Sequence, residues 1–398
     1  MHKLPFALLL LVALSVVSCQ HASDSRNTFQ ASVDSIFDDI FPDDEPGAVV
    51  LIAKGDSIYY NRGFGIADLK EDIPMTDTTL VNICSLSKQF SAVALLKLEE
   101  DSILSLDDDI VKYVPTLRGG QQYHKVKLKH LLSHTSGLPD MRPRTEEDWE
   151  DYTRDHYTRF ASCRDFKLYG LANESTKYLT TMDSLNFEPG TAFAYENPPY
   201  QLIYRVIETS TGRRFMPWME ENIFRGNGLQ HTLYYDPSVD HGQFSHAYRP
   251  TPDDDNPYGN YRSDDGRWEE YDYGESDFFA TKPDGGVYTT ALDFYKWQRD
   301  LFGGKVLGEA ALKKAITPVI ETDEPGISVA MGFFIKEQAG KPKKIYHNGT
   351  NGGYKVAGVY IPEKDIYYLV FANRPDWNRK AALDALDAVL AAHNWLGE

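Results

Sequence analysis

Three cysteines in 398 residues are too few for a disulfide framework, and Cys19 closes an N-terminal apolar run, which leaves only Cys84 and Cys163 for the body of the chain. A Cys84–Cys163 bridge fits the composition, but no pattern calls for it. Positive charge is scarce as well. With 41 Lys and Arg against 59 Asp and Glu, the formal net charge is -18, which repels phosphate backbones and excludes nucleic acid as a partner. No long apolar run interrupts the body of the chain, and the sequence holds neither internal repeats nor low-complexity tracts. What it does hold is 42% hydrophobic and 13% aromatic residues, enough for one large core or two smaller ones packed together.

The start, Met1-His2-Lys3 followed by Leu4 to Val17, has a basic head and a short apolar stretch. It reads as a signal peptide over residues 1–18 and is short for a membrane span. Ser18-Cys19 at its end resembles the lipobox of bacterial lipoproteins, with Cys19 as the lipidated first residue of a tether over 19–28. An ordinary cleaved signal is the alternative. The expectation is an exported protein, lipid-anchored to a bacterial membrane and facing the periplasm or cell exterior.

From residue 29 onward Phe29, Val33, Ile36, Phe37, Ile40 and Phe41 recur at helical spacing, until Pro42 to Gly47 stops the pattern. Ala48–Lys54 and Ser57–Gly65, rich in β-branched and aromatic residues, read as a hairpin turning at Gly55-Asp56. Toward the other end Val329–Lys336, Lys344–His347, Tyr354–Ile361 and Ile366–Asn373 read as strands. A helix over about Asn378–His393 follows, with Asp376 available as its cap. Strands from both ends predict one antiparallel sheet, from about 29–80 and 285–398, flanked by the N- and C-terminal helices. A mostly helical insertion over about 85–284 completes an α/β (α+β) fold. Arg142–Arg164 and Asp253–Asp277, acidic and aromatic without periodicity, read as long surface loops.

Ser85-Leu86-Ser87-Lys88 is the only S-x-x-K in the chain and opens the apolar helical segment Phe90–Leu98. The offset of three puts both side chains on one helix face, so the amine reaches the hydroxyl. A serine hydroxyl is a poor nucleophile until a base takes its proton, and a desolvated lysine serves. The helix start adds free N–H groups that favour developing anions. Such a spacing arises about once by chance in a chain of this length, so the weight falls on its companions. Tyr195-Glu196-Asn197 follows a Gly190 turn, although Y-x-N also occurs at Tyr59 and Tyr258. His347-Asn348-Gly349, at the end of an expected strand, is the only H-x-G.

In this order the motifs resemble the serine β-lactamase and penicillin-binding protein superfamily, whose signatures are S-x-x-K, Y-x-N or S-x-N, and K-T-G or H-x-G. His130–Asp140 and Pro283–Thr290 also resemble family segments, so the likeness runs from Phe29 to the closing helix. It implies Ser85 as nucleophile, Lys88 as its base and Tyr195 as proton shuttle. It also implies Asn197 and His347 on the substrate, and an oxyanion hole from the N–H groups of Ser85 and Thr350, beside Gly349. No cofactor and no metal are implied. His347 departs from the usual β-lactamase lysine, and an imidazole is only partly charged near neutrality. That favours a peptide containing D-amino acids, or an ester, over a β-lactam. A β-lactamase or penicillin-binding carboxypeptidase, and a non-catalytic lipid-anchored sensor, are the competing readings.

His130 and His134 have the spacing of two zinc ligands on a helix but lack the intervening glutamate, so they read as structural. Asp254, Asn256, Gly259 and Asp265 fall near calcium-loop positions, but Tyr258 stands where a ligand would. Cys84, among Val81 and Ile83, reads as a small packing residue.

Overall fold

A computed structural model describes residues 26–139, 176–235, 244–251, 261–271 and 282–396. Cys19, Cys163 and the Arg142–Arg164 stretch lie outside them, as do Asp254, Asn256, Tyr258 and Gly259.

The hairpin pairs β1 (Ala48–Lys54) with β2 (Ser57–Phe64). Late in the chain come β3 (Ile320–Glu321), β4 (Ile327–Val329), β5 (Phe334–Lys336), β6 (Lys344–Asn351), β7 (Tyr354–Ile361) and β8 (Ile366–Ala372). They form one antiparallel sheet in the order β3-β4-β5-β6-β7-β8-β1-β2, with β1 joined to β8 from Ala48↔Ala372 to Lys54↔Ile366. The expected sheet from both ends of the chain is thus present.

Strand β8 is buried at every residue, and β1 at every residue but Lys54, because both faces of the sheet are covered. Val49, Leu51 and Ala53 face one core with Leu369 and Phe371. Val50 and Ile52 face another with Tyr368 and Val370. The second core is closed by α1 (residues 26–37) and α5 (Arg379–Ala392), which lay Phe29, Val33, Phe37, Leu386 and Leu390 on the sheet. The first holds α2 (Ser87–Glu100), which is buried at every position from Ser87 to Leu96, the polar Ser87, Lys88, Gln89 and Ser91 included. Around it pack α3 (Ile203–Thr211), α4 (Ala291–Phe302) and a three-stranded sheet of Val81–Asn82, Val287–Thr289 and Thr232–Tyr234.

Several expectations shift. Val329–Lys336 is not one strand. It folds into β4 and β5 around a turn in which Ala330 N–H donates to Phe333 O at 2.8 Å. Gly332 makes that turn at φ +85°, where a Cβ would stand 2.8 Å from Ala92 Cβ on α2. The first helix includes Arg26 to Thr28, inside the expected tether, and gives way to a turn after residue 37, with Phe41 buried beyond it. Strand β6 runs on to Asn351. The closing helix is capped by Asn378, whose side chain accepts from Ala381 N–H at 3.1 Å, while Asp376 is held by Arg374 at 2.7 Å. Within the Asp253–Asp277 stretch, read as loop, Trp268–Glu270 forms a strand paired with Tyr248–Pro250.

One buried amide stitches these parts together. Asn373, just past β8, accepts from Gly47 N–H at 2.6 Å and donates to Ile66 O, Ala67 O and His246 O at 3.1, 3.3 and 2.8 Å. Its loss leaves several buried peptide groups unpaired, each costing about 1–3 kcal/mol. Asn373→Ala should therefore lower the unfolding free energy by about 3 kcal/mol or more in urea denaturation. A change below about 1 kcal/mol would contradict this account.

Candidate active site

The nucleophile turn is built by strain and a clasp. Cys84 takes φ +49°, uncommon for a residue with a side chain. It is held there by its N–H donating to Asn82 Oδ1 at 2.7 Å. This bend throws Ser85 onto a single 3-10 turn, Cys84–Leu86, which runs directly into α2. Cys84 itself is a free, fully buried thiol, and burial pushes its pKa up, in keeping with a packing role.

Lys88, one turn on and fully buried, donates to Ser85 Oγ at 3.1 Å and to Asp284 O at 2.9 Å. Asp284 belongs to the Pro283–Thr290 segment, which is locked to α2 by Ser91 Oγ donating to Pro283 O at 2.5 Å and by Val287 N–H donating to Ser87 Oγ at 3.0 Å. The amine also stands 5.2 Å from the Tyr195 ring centroid and 5.6 Å from that of Tyr200. Its position is thus fixed from above and below.

Tyr195 is placed by the His130–Asp140 segment. His134 stacks under its ring at 4.3 Å, and Gly190 N–H and Ala194 N–H donate to Thr135 O and His134 O at 2.8 and 3.0 Å. His134 Nδ1 faces Glu196 N–H at 3.4 Å, and His130 Nδ1 accepts from Lys127 N–H at 3.1 Å. Each histidine thus meets a backbone N–H through Nδ1, while His134 Nε2 is buried without a hydrogen-bond partner among the described residues. Asp265 accepts from Ser263 Oγ and Arg267 N–H.

His347 comes in on β6, opposite Gly358 of β7. It is buried, with Nδ1 2.6 Å from Asn348 O, which assigns the proton to Nδ1. Burial, with Lys88 nearby, pushes its pKa down to about 3. The imidazole is therefore neutral at physiological pH, and the expectation of partial charge is corrected accordingly. Gly349 lets β6 reach the nucleophile turn, because a Cβ there would lie 2.6 Å from Cys84 Cβ and 3.0 Å from Ile83 O.

Ser85, Tyr195, His347, Gly349 and Thr350 line one cavity of about 450 Å³. Lys88 lies beneath it. Asn197 is not in the lining; it begins the short helix Pro198–Gln201, with Oδ1 buried and bonded to no described residue. The cavity also has an aromatic wall, Phe193, Phe334 and Tyr346, and an acidic rim at Asp323 and Glu324.

Sequence reasoning missed Arg379. Its guanidinium enters this cavity and donates to Gly349 O and Val356 O at 3.0 and 3.2 Å, with no carboxylate within ion-pair distance among the described residues. A signal existed: an arginine in the first turn of a helix opposes the macrodipole and calls for another reason.

A serine and lysine in contact at the head of a buried helix, a tyrosine and a strand-borne H-x-G facing one cavity, and an antiparallel sheet closed by terminal helices define the serine hydrolases of the β-lactamase and transpeptidase fold. Residues 33–393 match the family model described as Beta-lactamase, and the chain belongs to that family. Penicillin-binding protein 4* of Bacillus subtilis (strain 168) is 27% identical over 348 residues, which is 86% of this chain and 71% of that protein. The D-amino acid amidase of Ochrobactrum anthropi SV3, complexed with L-phenylalanine, superposes with a TM-score of 0.71 at 21% identity, covering 91% of this chain and 98% of that one. EstCE1, a hydrolase with promiscuous acyltransferase activity, gives 0.72 at 23% identity, covering 92% and 99%. At these identities the two structures show the common fold.

Two predictions follow from this geometry. Gly349→Ala should push β6 off the nucleophile turn, lowering kcat by about a hundred-fold or more, as losing one oxyanion donor does, while the protein stays folded by circular dichroism. Unaltered kcat would refute the role given to that contact. The second concerns pH. An unfolded histidine binds its proton below about pH 6.5, whereas His347 folded does so only near 3. Its contribution to stability is complete above the unfolded pKa and is lost as pH falls through that window. The slope of unfolding free energy between about pH 6 and 4 should drop by about 1.4 kcal/mol per pH unit in His347→Gln, read from urea titrations at stepped pH.

Proposed function

We propose that this enzyme hydrolyses a peptide containing D-amino acids, or an ester, through an acyl-enzyme on Ser85. The observation that carries the reading is the 3.1 Å contact from Lys88 Nζ to Ser85 Oγ at the floor of a cavity shared with Tyr195 and His347. The Ser85 proton passes to Lys88 as Oγ bonds to the substrate carbonyl carbon, and the carbonyl π electrons move onto oxygen. The N–H groups of Ser85 and Thr350 hold that oxyanion. Its collapse breaks the bond to the leaving amine or alkoxide, which Tyr195 protonates, and water activated by Tyr195 then cleaves the ester and restores the serine. Asn197 orients the substrate on the acyl side.

The neutral His347 supports a non-lactam substrate, because it offers no fixed cation at the strand. The amidase and hydrolase named above fit that preference. Arg379 favours one particular alternative, a penicillin-binding carboxypeptidase or β-lactamase, since it brings a permanent charge to the same cavity by another route. A non-catalytic binding role is disfavoured by the intact Ser85–Lys88 contact. We further propose export, with removal of residues 1–18 and lipidation of Cys19 placing the enzyme on a bacterial membrane.

A fluorescent fluorophosphonate should label the wild type and leave Ser85→Ala unlabelled; equal labelling would sink the nucleophile. A panel of D-amino-acid amides and peptides, short-chain esters and nitrocefin then ranks substrates, with nitrocefin expected to be slowest. His347→Lys should lower KM for carboxylate-bearing substrates relative to that for neutral esters, read from the ratio of the two KM values in the same variant.

A further inference from the structure

A second cavity of about 350 Å³ lies between the β5–β6 connection and α5, and it shares no lining residue with the catalytic one. Its charge runs against that of the chain. Lys336, Lys341, Lys343 and Lys344 fall within one short stretch of a protein whose net charge is -18. Lys336 and Lys344 face each other across the β5–β6 pair. Lys344 is committed to Asp387 and to Tyr368 Oη at 2.8 Å, and Lys343 to Glu337 at 3.0 Å. Asp384, the other acid in the lining, is held by Lys380 at 2.6 Å. Lys336 and Lys341 have no carboxylate within ion-pair distance among the described residues, so the lining keeps a surplus of positive charge.

The remainder of the wall is apolar: Ile361, Ala388, Ala391 and Leu396. Charge and apolar surface thus meet in one enclosed space, which suits neither a small hydrated anion nor a purely apolar ligand. We propose that this cavity binds an amphiphile with an anionic head, the head on Lys336 and Lys341 and the start of its tail against Ile361, Ala391 and Leu396. Leu396 follows Trp395, which stacks on Phe29 at 4.7 Å, so this end of the lining adjoins α1, where Arg26 donates to Ile58 O at 2.9 Å. A bilayer and a free lipid offer the same chemistry.

Isothermal titration of the full-length protein with dihexanoyl phosphatidate, kept below its micelle concentration, tests this. Saturable binding at one site is expected, with Kd raised at least about ten-fold in Lys336→Ala/Lys341→Ala. Kd should stay unchanged after Ser85 is blocked with a phosphonate, and inorganic phosphate should bind at least about ten-fold more weakly. Absent saturation, an unchanged Kd in the double variant, loss of binding on the blocked enzyme, or phosphate binding equally well would each overturn the proposal. Cosedimentation with phosphatidylcholine vesicles, with and without phosphatidate, separates the sources. Lysine-dependent pelleting assigns the bilayer, and binding of the short-chain lipid alone assigns a free ligand.

Discussion

The catalytic geometry depends on a backbone contact before it depends on any side chain. At Gly349 strand β6 comes so near the turn at Cys84 that a single methyl group would collide with it. That proximity sets the gap between Ser85 and the strand across which a substrate must fit. The turn, in turn, keeps its strained φ only because the Asn82 side chain grips the Cys84 N–H. Behind it, Gly358 of β7 allows Leu86 and Phe294 to close in on the sheet. Two glycines on neighbouring strands therefore let the central helix lie against the sheet at the one point where chemistry is to occur.

Electrostatics around this point are divided between a neutral and a charged group. His347 is excluded from solvent and lies near Lys88, and both disfavour a positive charge on its ring. Arg379 stands farther along the cavity, tied to two carbonyl oxygens that steady it without neutralising it. A lysine in the strand would have repelled Lys88 directly. Moving the permanent charge to the helix keeps it available to the cavity while easing that repulsion.

Much of this was legible in the residues. The hairpin and β7 follow β-branched and aromatic content and turn chemistry so closely that their bounds need almost no adjustment. Ser85 and Lys88 were visible because an offset of three on a helix is a local geometry. The split between β4 and β5 was not, because an apolar run looks continuous until Gly332 is seen against α2, a contact made by a distant part of the chain. Arg379 was hidden for the same reason: its destination lies across the sheet. Asn378 outcompeted Asp376 as the cap because Arg374 had already engaged the aspartate. Local rules located the reactive pair, and tertiary contacts decided what surrounds it.

The pairing of β1 with β8 has a kinetic side. Ala48 meets Ala372 in the finished sheet, so the N-terminal hairpin must wait for almost the whole chain before its inner edge is covered. Until then it presents Val49, Leu51 and their neighbours along an unpaired edge, the kind of surface on which strands from other molecules assemble. Contacts of such long range also make closure slow. The longer that interval lasts, the greater the exposure of this edge to misassociation.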